Sequence, residues 1–271
     1  MTQRAVRFDQ VRKNFGRQAV LQGIDLDIAA GMTFGLVGIN GAGKTTLIKC
    51  LLDFCHVDSG RIEIFGTRHT DSDARARLAF LPERFMPPYF LTGRDFLSYM
   101  LKLDRRGTDE DKVRAMFAAL DLEAAALDKP VRSYSKGMTQ KLGLAACLLA
   151  EPDLLILDEP MSGLDPLARA RVKQLLRQLR DQGRTVFFTS HALSDVEEIC
   201  EYMVVLHQGG LRFCGSPHAL MQRYAPQVSI PLDGKVPTSS GGPDLRSPTL
   251  GYAQDSMEQA FLKCIESGAH A

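Results

Sequence analysis

A glycine-rich segment between an apolar run and a helical pattern constrains this chain more than any other feature. Residues 38–46 read Gly-Ile-Asn-Gly-Ala-Gly-Lys-Thr-Thr and follow the apolar run Phe34–Val37. In this context, backbone N–H groups and a helix N-terminus surround phosphate groups, a lysine adds positive charge, and a hydroxyl can ligate Mg²⁺. The predicted phosphate-binding residues are Gly38, Asn40, Gly41, Ala42, Gly43, Lys44, Thr45 and Thr46, with Thr45 as a metal ligand.

Two adjacent carboxylates follow a second apolar run. Leu154–Leu157 is continuously apolar, as is typical of a buried parallel strand, and it ends in Asp158 and Glu159. Ligands of open α/β sheets bind at the carboxyl ends of such strands. We therefore expect Asp158 to hold Mg²⁺ and Glu159 to act as the general base toward water. The alternative is a solvated acidic pair at the end of a strand.

His191 follows a third apolar run, Thr185–Thr189. An isolated histidine is often structural, and that alternative stays open. If this strand neighbours the other two, the imidazole can stabilise charge that develops on a phosphate. His191 is therefore a candidate catalytic residue, together with Lys44 and Glu159.

The rest of the chain alternates short β-type runs with helical patterns, which predicts an α/β fold. The alternation stops between about Pro82 and Ala150, where helical patterns indicate an inserted subdomain. Residues 226–254 are rich in Pro, Gly and Ser, so we expect a loop-rich extension there, followed by a helix over Ser256–Glu266.

Composition excludes several classes of protein. The 271 residues are 45% hydrophobic, and 33 basic against 32 acidic residues give a net charge of +1, which creates no field to attract nucleic acid. The longest apolar runs fall short of the roughly 20 residues that span a bilayer. We find no signal segment and no CxxC pair among the six cysteines. We expect a soluble protein with reduced thiols and no nucleic-acid partner.

Taken together, these motifs resemble the ATP-binding cassette of ABC transporters over roughly residues 4–220. Tyr134-Ser-Lys-Gly-Met-Thr-Gln140, which precedes the carboxylate pair, is similar to the signature motif of that family. The resemblance implies that Ser135, Gly137 and Met138 contact ATP held by the phosphate-binding loop of a second subunit.

Three further positions carry the resemblance. Ser162-Gly-Leu-Asp165 is similar to the D-loop that crosses the interface between subunits, which places Asp165 near the nucleotide. His191 is similar to the family's switch histidine. Phe15 is similar to the aromatic residue that stacks on adenine, with a core or edge aromatic as the alternative.

The sequence departs from the common pattern of the family at two sites. The signature contains Lys136 in place of Gly and Met138 in place of Gln, so its polar lining differs. Glu83 occupies the position of the Q-loop glutamine, where a carboxylate can still ligate Mg²⁺ or its waters. A carboxylate lacks the neutral N–H donor of glutamine, so we expect the coupling of this site to a membrane partner to differ from the common pattern.

The resemblance also implies an architecture. It is an α/β fold: a P-loop NTPase core with a mainly parallel sheet, an antiparallel β subdomain and an inserted helical subdomain. The cassette would occupy residues 1–225, with the helical subdomain at about 83–150. Residues 226–271 would form a loop-rich C-terminal extension that ends in a short helix.

The function that the resemblance implies is ATP hydrolysis with Mg²⁺ by a head-to-tail homodimer, coupled to transport through a separate transmembrane permease subunit. The Lys-Gly signature and the Leu-Pro-Glu stretch look most like export-type systems. The protein would lie on the cytoplasmic face of the inner (plasma) membrane, peripherally and through its partner only. The surface that receives the partner would include Phe85, Pro87, Pro88, Tyr89 and Phe90, although these residues could instead pack the subdomain.

Two other functions could use some of the same motifs. A soluble ABC-type ATPase that acts on ribosomes or another macromolecule usually carries two cassettes or a long coiled-coil insertion, and we find neither. A small-molecule kinase or GTPase could use the same phosphate-binding loop, but the signature and D-loop argue against it, and no Asn-Lys-x-Asp motif reads guanine here.

Overall fold

The computed structural model describes residues 3–224 and 251–267, which contain ten β-strands and nine α-helices. The strands are β1 (Arg4–Phe15), β2 (Gln18–Ala29), β3 (Thr33–Val37), β4 (Ser59–Ile64), β5 (Thr67–Arg68), β6 (Leu78–Leu81), β7 (Leu154–Leu157), β8 (Thr185–Thr189), β9 (Tyr202–His207) and β10 (Gly210–Gly215). The helices are α1 (Lys44–Leu51), α2 (Ser72–Arg75), α3 (Gly93–Leu103), α4 (Glu110–Ala119), α5 (Lys136–Leu149), α6 (Pro166–Asp181), α7 (Leu193–Ile199), α8 (Pro217–Tyr224) and α9 (Gly251–Ser267).

The larger sheet positions the predicted site. Its six strands lie in the order β10-β9-β3-β8-β7-β6, and all neighbours pair in parallel except β10 and β9. Every residue of β3, β7 and β8 is buried, which explains why these strands appear as continuous apolar runs. Because the three strands are adjacent and parallel, the residues that follow Val37, Leu157 and Thr189 meet at one edge of the sheet.

A second sheet is antiparallel, with four strands in the order β2-β1-β4-β5. Apolar residues of β1, β2 and β4, such as Phe8, Ile24 and Ile62, pack with Phe34 of β3 and Leu47 of α1 in one hydrophobic cluster. This packing holds the β1–β2 hairpin beside the start of α1.

Helices dominate between β6 and β7, as the sequence predicted. The region contains α3, α4 and α5 and two 3₁₀ helices, Ala124–Asp128 and Val131–Ser133. Thr92 begins α3 with a capping box: its hydroxyl accepts a hydrogen bond from the backbone N–H of Asp95, whose carboxylate accepts from the backbone N–H of Thr92. The predicted fold class is confirmed by this arrangement of parallel sheet, antiparallel sheet and inserted helices.

Five elements were not predicted from the sequence: β5, β6, α2, α3 and α8. The predicted C-terminal helix is present as α9 and begins five residues earlier than expected, at Gly251. Residues 225–250, which include most of the predicted loop-rich segment, lie outside the described residues. Within the described part of the chain, no helix combines the length and the apolar character needed to cross a membrane.

Candidate active site

The phosphate-binding loop predicted at residues 38–46 joins β3 to α1. Gly41 and Gly43 have φ angles of 81° and 113°, in the left-handed region that side chains disfavour. Gly38 is required for another reason, because a Cβ there would collide with the backbone oxygen of Leu206 on β9. The path of the loop therefore depends on glycine at all three positions.

Lys44 is the first residue of α1, and its side chain turns back over the loop. Its Nζ donates a hydrogen bond to the carbonyl oxygen of Gly38 (2.6 Å), and the residue is only 8% exposed. Burial lowers the pKa of Lys44. The carboxylates of Glu159, Asp158 and Glu83 oppose this shift, because they favour the charged form. The loop thus presents a buried amine beside three carboxylates.

Asp158 and Glu159 follow β7 and are held by Thr189 at the end of β8. The Thr189 hydroxyl donates to Asp158 Oδ1 (2.7 Å) and accepts from the backbone N–H of Glu159 (2.9 Å). Burial is the main cause of the raised pKa of both carboxyl groups. Glu159 has a φ angle of 52°, a left-handed conformation of the kind that clusters at functional sites in non-glycine residues.

His191 contacts Glu159 through both its backbone and its ring. The backbone N–H donates to Glu159 Oε2 (3.3 Å), and ring Nε2 lies 3.2 Å from Oε1. Glu159 Oε1 is buried and, despite this short distance, makes no hydrogen bond of suitable geometry. A buried acceptor without a donor carries a free-energy cost, so this oxygen is suited to accept a proton from a bound water molecule.

These groups line one cavity of about 290 Å³. Eleven of the predicted residues contribute to its wall, which Gln18 and Val20 of β2 complete. Gln18 and Val20 were not predicted, since no local motif shows that the hairpin folds over the loop. The predicted residues in the wall are Asn40, Gly41, Ala42, Gly43, Lys44, Thr45, Thr46, Glu83, Asp158, Glu159 and His191.

Comparison with known proteins decides the family. Residues 21–162, about half of the chain, match the family described as ABC transporter. This chain belongs to the ABC transporter family.

Two relatives show how far the similarity extends. An uncharacterized ABC transporter ATP-binding protein from Synechocystis sp. is 42% identical over 200 residues, which cover 72% of this chain and 56% of the relative. The chain therefore spans little more than half the length of that protein. The Nod factor export ATP-binding protein I from Paraburkholderia xenovorans is 36% identical over 276 residues, which cover 98% of this chain and 88% of the relative.

A solved structure supports the assignment. The structure of an ATP binding subunit of an ABC transporter superposes with a TM-score of 0.74 at 28% identity. The match covers 81% of this chain and 92% of that one. The predicted α/β cassette fold is thus shared with an ABC transporter subunit.

The predicted signature motif lies outside the cavity wall and packs against the predicted D-loop. Ser135 is the N-cap of α5, and its Oγ accepts a hydrogen bond from the backbone N–H of Met138 (3.1 Å). A Cβ on Gly137 would lie 3.4 Å from the carbonyl oxygen of Gly163, so the two segments are in contact. Asp165 caps α6, and the hydrogen bond from the backbone N–H of Ala168 is the main cause of its lowered pKa.

Phe15 also lies outside the cavity wall. It ends β1, is 53% exposed, and its ring centroid lies 5.3 Å from Nζ of Lys13. This exposure does not fit the alternative of a core aromatic, whereas the alternative of an edge aromatic stays open. Its role toward adenine remains a prediction.

The donor groups of the cavity fit a nucleotide with Mg²⁺. The Thr45 hydroxyl and the carboxylates of Asp158 and Glu83 are hard oxygen ligands among the residues that line the cavity. Among the described residues, no three His, Cys, Asp or Glu side chains group closely enough to hold a metal ion by themselves. This incomplete set suits Mg²⁺, which is usually bound by one or two carboxylates together with substrate phosphates and waters.

Proposed function

We propose that this chain is the ATP-hydrolysing subunit of a membrane transporter. One observation carries the proposal: a single cavity brings together the glycine loop, Lys44, the carboxylate pair and His191. A kinase or GTPase would need only part of this set. It would also have no use for a signature and a D-loop that pack against each other.

Each residue has a distinct task in the proposed reaction. The backbone N–H groups of the loop and the Lys44 ammonium bind the phosphates. Thr45, Asp158 and Glu83 would hold Mg²⁺, which neutralises phosphate charge when bound. Glu159 orients a water molecule and accepts its proton, a task that suits a carboxylate whose pKa is raised by burial. His191 fixes the Glu159 carboxylate and faces the same cavity.

The position of the signature favours a head-to-tail dimer. Ser135, Gly137 and Met138 form a capped helix N-terminus that is separate from the cavity of their own chain. A helix N-terminus attracts anions, so it can complete the phosphate site of a second copy. Because one chain carries both halves, a two-fold homodimer would contain two complete sites. Asp165 and the exposed Leu167 would lie at this interface.

A surface for a membrane partner follows directly after Glu83. Met86, Tyr89 and Phe90 are 86%, 69% and 71% exposed, whereas Phe85 packs against Phe96 with ring centroids 5.7 Å apart. Large apolar side chains grouped on a surface often mark an interface. These residues follow Glu83 closely in the sequence, so a movement of Glu83 on nucleotide binding or hydrolysis would be passed to the permease. The name of the Nod factor relative favours export, and the permease would hold this subunit at the cytoplasmic face of the membrane.

We expect the Tyr89→Ser/Phe90→Ser variant to lose its membrane partner while the isolated subunit keeps its ATP turnover. Both side chains are exposed, so the change in folding free energy should stay within about 0.5 kcal/mol. The measurement is co-purification of a polytopic membrane protein from gently solubilised membranes of the native host, with Leu262→Ser as a control at another exposed apolar site. Retention of the membrane protein by the double variant would contradict this surface. Ribosomes in place of a membrane protein would favour the soluble alternative.

A further inference from the structure

Thr189 connects the two carboxylate residues of the site. It is the last residue of β8, in the interior of the larger sheet, and it is 0% exposed. The last pair formed by β7 and β8 is Leu157 with Phe188, so the next positions along the two strands are Asp158 and Thr189. The parallel register thus places a hydroxyl beside the carboxylate pair.

The hydrogen bonds of this hydroxyl have a fixed direction. A threonine hydroxyl has one proton to donate and lone pairs to accept. The proton goes to Asp158 Oδ1 at 2.7 Å, so the oxygen accepts from the backbone N–H of Glu159 at 2.9 Å. One side chain therefore orients the carboxylate of Asp158 and, independently, the backbone of Glu159. That backbone has a φ angle of 52°, which needs support from its surroundings.

We propose that Thr189 is a positioning residue that sets the placement of the metal-binding carboxylate of Asp158 relative to the base, Glu159. This inference rests on the proposed function, because it assigns Thr189 to the same site. Thr189 acts through its two neighbours and is not among the residues that line the cavity. Valine has nearly the same shape but can make neither hydrogen bond, whereas serine can make both.

The chain offers a matched control on the same strand. Thr185 begins β8, is 1% exposed, and its hydroxyl accepts a hydrogen bond from the backbone N–H of Gly31 (3.0 Å). Thr185→Val removes a buried hydroxyl at the opposite end of β8 from the site. It therefore reports what the loss of one buried hydroxyl does to the strand alone.

The experiment compares the wild type, Thr189→Val, Thr189→Ser and Thr185→Val. For each, kcat and KM for ATP-Mg²⁺ are measured, together with the thermal midpoint and the affinity for ATP with Mg²⁺ and in EDTA. For Thr189→Val we expect kcat to fall about 10- to 100-fold and KM for ATP-Mg²⁺ to rise about 10-fold, as is typical when a partner that orients a metal ligand is lost. The ratio of ATP affinity with Mg²⁺ to that in EDTA should also fall, by about 10-fold. Thr189→Ser and Thr185→Val should stay close to wild type in both readouts.

Two results would overturn the inference. One is a Thr189→Val variant with the kcat and the Mg²⁺ ratio of the wild type. The other is an equal loss in Thr185→Val, which would assign the effect to strand stability. If the wild type bound ATP but did not hydrolyse it, the proposed function would fail, while the Mg²⁺ ratio would still test whether Thr189 orients Asp158.

Discussion

Glu159→Gln should bind ATP as the wild type does and nearly abolish turnover. The amide has nearly the shape of the carboxylate and can still accept from the backbone N–H of His191, but it cannot take a proton from water. Loss of a general base typically costs about 10²- to 10⁴-fold in rate. The measurement is steady-state phosphate release beside equilibrium binding of ATP-Mg²⁺. Turnover at the wild-type rate would remove Glu159 from the role of base.

The same variant should not be destabilised when no nucleotide is bound. Burial raises the pKa of Glu159 in the folded protein above its value in the unfolded chain. The protonated side chain therefore stabilises the fold below the unfolded-state pKa, and this stabilisation is lost as the pH rises through the folded-state pKa. At neutral pH the charged carboxylate thus costs folding free energy, and glutamine removes that charge. Thermal unfolding should show a midpoint at or above that of the wild type, which separates loss of chemistry from loss of fold.

Lys44→Ala should weaken ATP binding more than any other single change in the loop. The Lys44 ammonium lines the cavity and lies over the phosphate-binding loop, 2.6 Å from the carbonyl oxygen of Gly38. Charged hydrogen bonds contribute about 1.5–3 kcal/mol each, so we expect ATP affinity to fall about 10- to 100-fold. Binding of a fluorescent ATP analogue provides the measurement.

Lys49→Ala is the matched control for this variant. Lys49 lies on the same helix, is exposed, and has no place in the cavity wall. Its removal changes the net charge of the protein by the same amount. If Lys49→Ala lowered the affinity as much as Lys44→Ala, the effect would come from overall charge rather than from contact with phosphate.

The parts of the fold that could be predicted are those in which buried positions produce a recognisable pattern of apolar residues in the sequence. β3, β7 and β8 are covered on both faces, so they are continuous apolar runs. β6 was missed because it has only four residues, three of them partly exposed. α3 and α8 were missed although capping signals precede both. Thr92 and Asp95 form a capping box, and the Ser216 hydroxyl accepts from the backbone N–H of Ala219.

The site also contains residues that could be predicted from the sequence and residues that could not. The loop and the carboxylate pair are short motifs whose chemistry is contained in adjacent residues. Thr189 could not be assigned in that way, because its role depends on the register between two strands that are far apart in sequence. Gln18 reaches the cavity only because the β1–β2 hairpin packs against α1. Such contacts are products of tertiary packing, which sequence motifs do not encode locally.

Complementation between two variants, each damaged in one half of the proposed site, tests the head-to-tail site most directly. Lys44→Ala has a damaged loop and an intact signature. Gly137→Asp has an intact loop and a damaged signature, because its carboxylate would lie where phosphate is proposed to bind. In a mixed head-to-tail dimer, the intact loop of one chain faces the intact signature of the other. An equimolar mixture should therefore regain about one quarter of wild-type turnover, since about half of the dimers are mixed and one of their two sites is complete. Turnover no greater than the sum of the two variants at every mixing ratio would contradict a site shared between two copies of this chain.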